Sequence, residues 1–291
     1  MTDDSFIESL TDFILKQFPT YRPWAEAQAL YLLAATSPNA VLPGGGKGLP
    51  LTFNPWAVGP SRMAFKSTVI RYITMPLLKK LDYPLLPPRF TVEKCIGYIA
   101  EKKLKHMALI RDETVGLVTE SQKRYMSDEL AFLCELLDGN LTGRMTYAHG
   151  LTVPGEVRVN FMTACTPSIF SIIDETFWTQ GLGNRLLVIY WMPQVVEEYA
   201  IPFGSIDDIS YDERMKTLTA QLKKHYEADV QYVMFDNYVQ KASVVEEFMR
   251  RKTGYEKYFV NKYDLLSSVF YEYNVHIRKV CLLYTSDAAD E

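Results

Sequence analysis

The residues best able to do chemistry lie in Gly59–Thr68, GPSRMAFKST, where a glycine opens a turn and a lysine with two hydroxyls closes it. A loop that cradles phosphates needs such a layout. A strand delivers the chain to a tight turn, backbone N–H groups wrap the phosphates, and a helix N-terminus points at them. A lysine at the helix start then reaches the outer phosphates, and the next hydroxyl binds magnesium. On this reading Gly59, Pro60, Ser61, Arg62, Lys66, Ser67 and Thr68 hold a nucleotide, with Ser67 on the metal. The spacing departs from G-x-x-x-x-G-K-[ST], because one extra residue separates Gly59 from Lys66 and Phe65 stands where the second glycine belongs. A positive φ is costly for phenylalanine, so the loop is expected to take another path.

A second group follows the apolar run Ala108–Ile110, where Arg111 leads into Asp112 and Glu113. A strand-end aspartate can hold a magnesium shell, and the adjacent glutamate can orient an attacking water. Two threonines near the end of a later apolar stretch, Thr163 and Thr166, are candidates for the same water or are ordinary strand residues. Arg185, after a glycine-bearing loop, either stabilises charge on a transferring phosphoryl group, within the subunit or across an oligomer interface, or forms a structural ion pair.

These groups need a parallel sheet with helices around it. Apolar spacing predicts helices over 6–18 and 24–35, and the glycine run Gly44–Gly48 reads as a loop because no helix start follows it. Strands are predicted over 51–58, broken by Pro55, and over 106–111, 157–164 and 185–192. Helices are predicted from about 67 to 81, with Pro76 kinking or ending the first part, from Thr91 as a cap to 103, and over 128–137. Further helices are expected over 215–228, 237–253 and 259–280. The organisation is a helical lead-in with its glycine-rich loop (1–48), an α/β core (49–195) and a helical extension (206–280).

The 291 residues are 48% hydrophobic and 23% charged, as in a protein with a real core, and the formal charge is −4. The chain is therefore no polycation, but Arg62–Lys105 contains ten Lys or Arg against three acids, a local +7. That segment is either a phosphate-binding face for nucleic acid or a solvated helix surface. YEKYFVNKY, from Tyr255 to Tyr263, either stacks bases or buries one aromatic face. Four scattered cysteines without a C-x-x-C pair and four scattered histidines argue against zinc and a disulfide framework. No apolar run has the roughly 20 residues of a membrane helix, and no signal-like segment follows the acidic N-terminus, so a cytoplasmic protein is expected. The last eleven residues, CLLYTSDAADE, read as the in-frame translation of a transposase-based sequencing adapter, so Cys281 to Glu291 are left out and the native chain is expected to continue past Val280.

Taken together, NPWAVGPSRMAFKST, ALIRDETVGLV, YMSDELAFLCELLDGN, VRVNFMTACTPSIF and GLGNRLLVIYWMP resemble a poorly characterised P-loop ATPase family, a domain of unknown function related to the primase–helicases of phages, plasmids and integrated elements. The likeness runs from about Ala27 to Pro193 and extends less clearly into KYDLLSSVFYEYNVHIRKV. It implies a RecA/AAA+-like core, ATP hydrolysis with Mg2+, homo-oligomers such as hexamers, and helicase-like action on DNA in replication or mobile-element maintenance. Lys66, Ser67, Asp112, Glu113 and Arg185 fall on the family's landmarks, whereas its usual phosphate loop has the orthodox spacing that this chain lacks. The alternative is a catalytically degenerate nucleotide-binding scaffold on DNA. A small-molecule kinase is a third reading, but no arginine-rich lid is evident after the core.

Overall fold

The structure is a computed structural model that describes residues 5–42, 49–61, 64–116, 127–141, 144–146, 150–152, 155–173, 177–178, 181–191 and 208–227. The helices predicted over 237–253 and 259–280, the glycine run and Tyr255–Tyr263 lie outside the described residues.

Helix α1 (Phe6–Gln17) begins where the Ser5 side chain accepts the Glu8 N–H, and it buries Phe6, Ile7, Leu10, Phe13 and Ile14. Helix α2 (Arg22–Thr36) carries Pro23 in its first turn and is apolar on nearly all sides. A helix of that kind must be covered all round, and α2 contacts α1, the sheet and the later helix Asp208–Glu227. A short antiparallel pair, β1 (Val41–Leu42) with β2 (Leu49–Pro50), precedes the first core strand.

Strand β3 (Pro55–Val58) is fully buried. It starts at Pro55 rather than Leu51, because proline has no N–H for a central ladder and is tolerated at a strand's first residue. After a turn come α3 (Lys66–Val69), a π-helical segment (Ile70–Thr74) and α4 (Met75–Lys80). Pro76 explains the irregular middle. It cannot donate to the Tyr72 carbonyl one turn back, and the hydroxyl of Tyr211 donates to that carbonyl instead.

The chain continues through β4 (Leu85–Leu86), α5 (Val92–Lys102), β5 (His106–Arg111), α6 (Ser127–Asp138), the antiparallel pair β6 (Arg144–Thr146) with β7 (Gly150–Thr152), β8 (Arg158–Cys165), β9 (Leu187–Tyr190) and α7 (Asp208–Glu227). Thr91 caps α5 through the Lys94 N–H as expected. The five-stranded sheet has the order β4-β5-β8-β3-β9 and every pairing in it is parallel.

Strand residues alternate between two cores. Ala57, Ala108, Ile110, Met162 and Ala164 join α1, α2, the α3–α4 helix and α7 on one face. Trp56, Val58, Met107, Leu109, Phe161 and Cys165 join α5, α6, Ile169, Phe177 and Leu186 on the other. The chain therefore leaves β3 over the first face, while the described part of the connection leaving its neighbour β8 packs on the second. Adjacent parallel strands whose connections depart to opposite faces leave a crevice at their C-terminal ends, and such crevices are where open α/β sheets bind ligands.

Two asparagines tie the chain entering β3 to β8, at the edge opposite this crevice. Asn54 Oδ1 accepts the Phe161 N–H, Asn160 Oδ1 accepts the Phe53 N–H, each at 2.9 Å, and the Tyr31 hydroxyl donates to the Asn160 carbonyl. Asn160→Leu leaves the buried Phe53 N–H unpaired, and urea unfolding should show a loss of about 1–3 kcal/mol.

Candidate functional site

The loop from Gly59 to Lys66 rises at the C-terminal end of β3, against β8 and β9. The Gly59 N–H donates to the Cys165 carbonyl at 3.2 Å and the Trp191 N–H donates to the Val58 carbonyl at 2.8 Å. Glycine suits position 59 because a Cβ there would meet both the Ala64 Cβ and the Trp191 carbonyl oxygen at 3.3 Å. Lys66 is buried, and its ammonium donates to the carbonyls of Gly59 (2.7 Å) and Pro60 (2.9 Å). Burial holds its pKa below the ordinary lysine value, an effect opposed by the charge of a Cys165 thiolate. Ser61 is exposed, Thr68 is half-buried on α3, and Arg62 lies outside the described residues.

Phe65 corrects the sequence reading. It adopts φ 48° and ψ 23°, the left-handed conformation that phenylalanine was expected to avoid. The cost is about 1–2 kcal/mol. Its neighbours fix the turn: the Thr20 hydroxyl donates to the Ala64 carbonyl (2.7 Å) and the Trp24 indole to the Lys66 carbonyl (3.4 Å). The link between α1 and α2 thus braces the loop from behind, and Tyr21 stacks on Trp191 with ring centroids 5.2 Å apart.

Strand β5 delivers the acids to the same end of the sheet. The Ser67 hydroxyl donates to the Asp112 backbone carbonyl at 3.3 Å, and Arg71, one turn further along the helix, pairs with the Asp112 carboxylate at 3.2 Å. Glu113 is exposed beside Asp112. Beneath them Arg111 and Glu129 of α6 form a buried ion pair at 2.8 Å, with the guanidinium lying over the Phe90 ring. Next in sequence, the Thr114 hydroxyl meets that of Thr163 at 2.9 Å and donates to the Ala164 carbonyl, tying the acidic turn to β8.

Cys165 sits between the two groups. Burial pushes its thiol up to about 11, against hydrogen bonds from Trp56 and Thr114 and the charge of Lys66, while Glu113 raises it further. The charges of Lys66 and Glu113 thus both reach Cys165 at the end of β8. Just past β8 lies Thr166, half-buried, whose hydroxyl shares a 2.6 Å hydrogen bond with Ser168. Thr163 is fully buried and engaged with Thr114, so its hydroxyl anchors the acidic turn instead of facing the crevice.

Compared with known proteins, the chain matches no family model and no curated protein.

Arg185 does not join the site. It precedes the N-terminal end of β9, with Leu187 beside Pro55, whereas Lys66 and Asp112 lie past the C-terminal ends. Four strand residues at roughly 3.3 Å each separate the two edges by about 13 Å. Its guanidinium is held by both Asp138 oxygens at 2.6 Å and by the Gly181 carbonyl at 2.8 Å. Within one chain this is the structural ion pair, and the residues preceding β9 form a 3₁₀ turn (Gly183–Arg185) instead of strand.

The basic segment divides between the sheet edges. Lys79 and Lys80 end α4, and Lys102, Lys103 and Lys105 end α5 and its link to β5, all exposed at the edge away from the Gly59–Lys66 loop. Among the described residues no group of three or more His, Cys, Asp and Glu could hold a metal ion alone. The donors that fit magnesium are the Ser67 hydroxyl and the Asp112 carboxylate, an oxygen set that leaves room for phosphate oxygens and water. No helix among the described residues is long and apolar enough to cross a membrane.

Sequence reasoning missed Arg71, Thr114 and Cys165. Thr114 and Cys165 directly follow the acidic pair and the β8 apolar run, so strand-end position was the available signal. Arg71 had none beyond lying one turn past Ser67.

Proposed function

We propose that the Gly59–Lys66 loop binds the phosphates of ATP with Mg2+, and that the chain hydrolyses ATP as a helicase-like motor or remodeller acting on DNA. The observation that carries the reading is the meeting of the loop, the Ser67 hydroxyl and the Asp112–Glu113 turn at the crevice between β3 and β8. A basic group, a hydroxyl and two carboxylates at one such crevice suit phosphoryl transfer, which needs positioning and charge neutralisation more than covalent chemistry.

Lys66 transfers its hydrogen bonds from the Gly59 and Pro60 carbonyls to the outer phosphate oxygens. Ser67 and Asp112 are the residues that would hold magnesium, which supplies charge neutralisation between the phosphates when bound. Asp112 gives up Arg71 in doing so. Glu113 orients water for in-line attack, and Thr166 hydrogen-bonds that water from the end of β8. The family resemblance, not the geometry, supplies the DNA and homo-oligomer parts of the proposal.

One observation favours the second reading, a scaffold that binds nucleotide on DNA without turnover. The Lys66 ammonium is satisfied by its own loop, and Phe65 replaces the glycine that would open that turn. Steady-state ATP hydrolysis with and without single-stranded DNA separates the two. Turnover that rises with DNA supports the motor. Nucleotide binding with no phosphate release in either condition supports the scaffold.

A further inference from the structure

We propose that Phe170 and Tyr190 form a shelf that stacks the base of the nucleotide whose phosphates the Gly59–Lys66 loop holds. The inference rests on the phosphate-binding reading and extends it to the other end of the ligand. Most large apolar side chains of the described residues are buried, but Phe170 is 44% and Tyr190 52% exposed. Their rings pack together with centroids 6.3 Å apart and planes at 50°, and Phe170 rests on the fully buried Trp56, centroids 6.0 Å apart. Exposed aromatic rings on a fixed floor present flat apolar surface to solvent, and every base has a π-face to cover it.

Position relates the shelf to the loop. Tyr190 is the strand partner of Val58, the residue before Gly59. Phe170 lies on the 3₁₀ turn Pro167–Ser171 that leaves β8, immediately after Thr166, and Gly59 is hydrogen-bonded to Cys165. The two rings therefore flank the root of the loop from the β8 and β9 sides, on the sheet face that carries Trp56. A base leaving the crevice on that face meets them. Stacking of this kind recognises the presence of a base and discriminates little between bases.

The test compares the binding of Mg-ATP and of magnesium tripolyphosphate by calorimetry. Wild type should bind ATP more tightly. Phe170→Ala and Tyr190→Ala should each weaken ATP about 10-fold and leave tripolyphosphate unchanged, while Phe170→Trp keeps ATP affinity and GTP and CTP bind about as well as ATP. Equal weakening of both ligands, unchanged ATP affinity in the alanine variants, or wild-type ATP binding no tighter than tripolyphosphate would overturn the shelf. Lys66→Ala separates the two claims. If it leaves both ligands unaffected while the shelf variants weaken ATP, the shelf stands and the phosphate-loop reading fails.

Discussion

Lys66→Ala is expected to weaken ATP binding about 100-fold, and Glu113→Gln to keep binding while lowering turnover about 10²–10⁴-fold. The difference follows from where the two side chains sit. The Lys66 ammonium lies inside the loop, held at 2.7 and 2.9 Å by carbonyls that a phosphate oxygen can replace as acceptors. Two charge-assisted hydrogen bonds in a buried setting are lost when it is truncated. The folded state should suffer little, since the loop remains braced by Thr20 and Trp24 through the Ala64 and Lys66 carbonyls, neither of which needs the lysine side chain. Glu113 is exposed at the acidic turn, near enough to raise the Cys165 thiol pKa. Its amide replacement keeps the shape but loses the carboxylate that accepts a proton from water. Binding measured by calorimetry, alongside phosphate release, separates the two effects. Equal loss of binding in both variants would contradict the division of roles.

Arg111→Met is expected to destabilise the fold by about 3–5 kcal/mol, because it strands a buried Glu129 carboxylate. Both partners are almost inaccessible, at 6% and 2% exposure, and their contact ties β5 to α6 directly beneath Asp112. Arg111 Nε and Glu129 Oε2 have no hydrogen-bond partner among the described residues, so the pair is imperfectly satisfied. A double replacement, Arg111→Met with Glu129→Leu, should therefore recover most of the loss, since apolar residues of similar volume often substitute for a buried pair at little cost. Guanidinium unfolding of the two single variants and the double variant measures the coupling. Near-additive losses would show that the pair is not what holds the acidic turn.

Local signals made the scaffold legible. His106–Arg111 forms the strand that its apolar run predicts, Thr91 caps its helix, and Pro76 distorts the helix it was expected to disturb. The parallel sheet followed from apolar runs separated by helices. What the sequence hid depends on distant partners. Nothing near Phe65 announces that Thr20 and Trp24 hold its flanking peptides in a left-handed turn. Arg185 shares its residue type with a phosphate-stabilising arginine, yet Asp138, far back in the chain, claims its guanidinium. The exchange between Asn54 and Asn160 is equally non-local. At the candidate site, type and spacing singled out Lys66, Ser67, Asp112 and Glu113, whereas Thr114 emerged only once β5 and β8 were side by side, and Arg71 once its helix met the Asp112 turn.

The central claim is that phosphate oxygens take the place of the Gly59 and Pro60 carbonyls on Lys66. A crystal structure with Mg2+ and a non-hydrolysable ATP analogue measures this directly. The account predicts phosphate oxygens about 2.9 Å from the Lys66 ammonium, the metal on the Ser67 hydroxyl, and Asp112 released from Arg71. An analogue bound elsewhere, with Lys66 still on the two carbonyls and Asp112 still on Arg71, would contradict it.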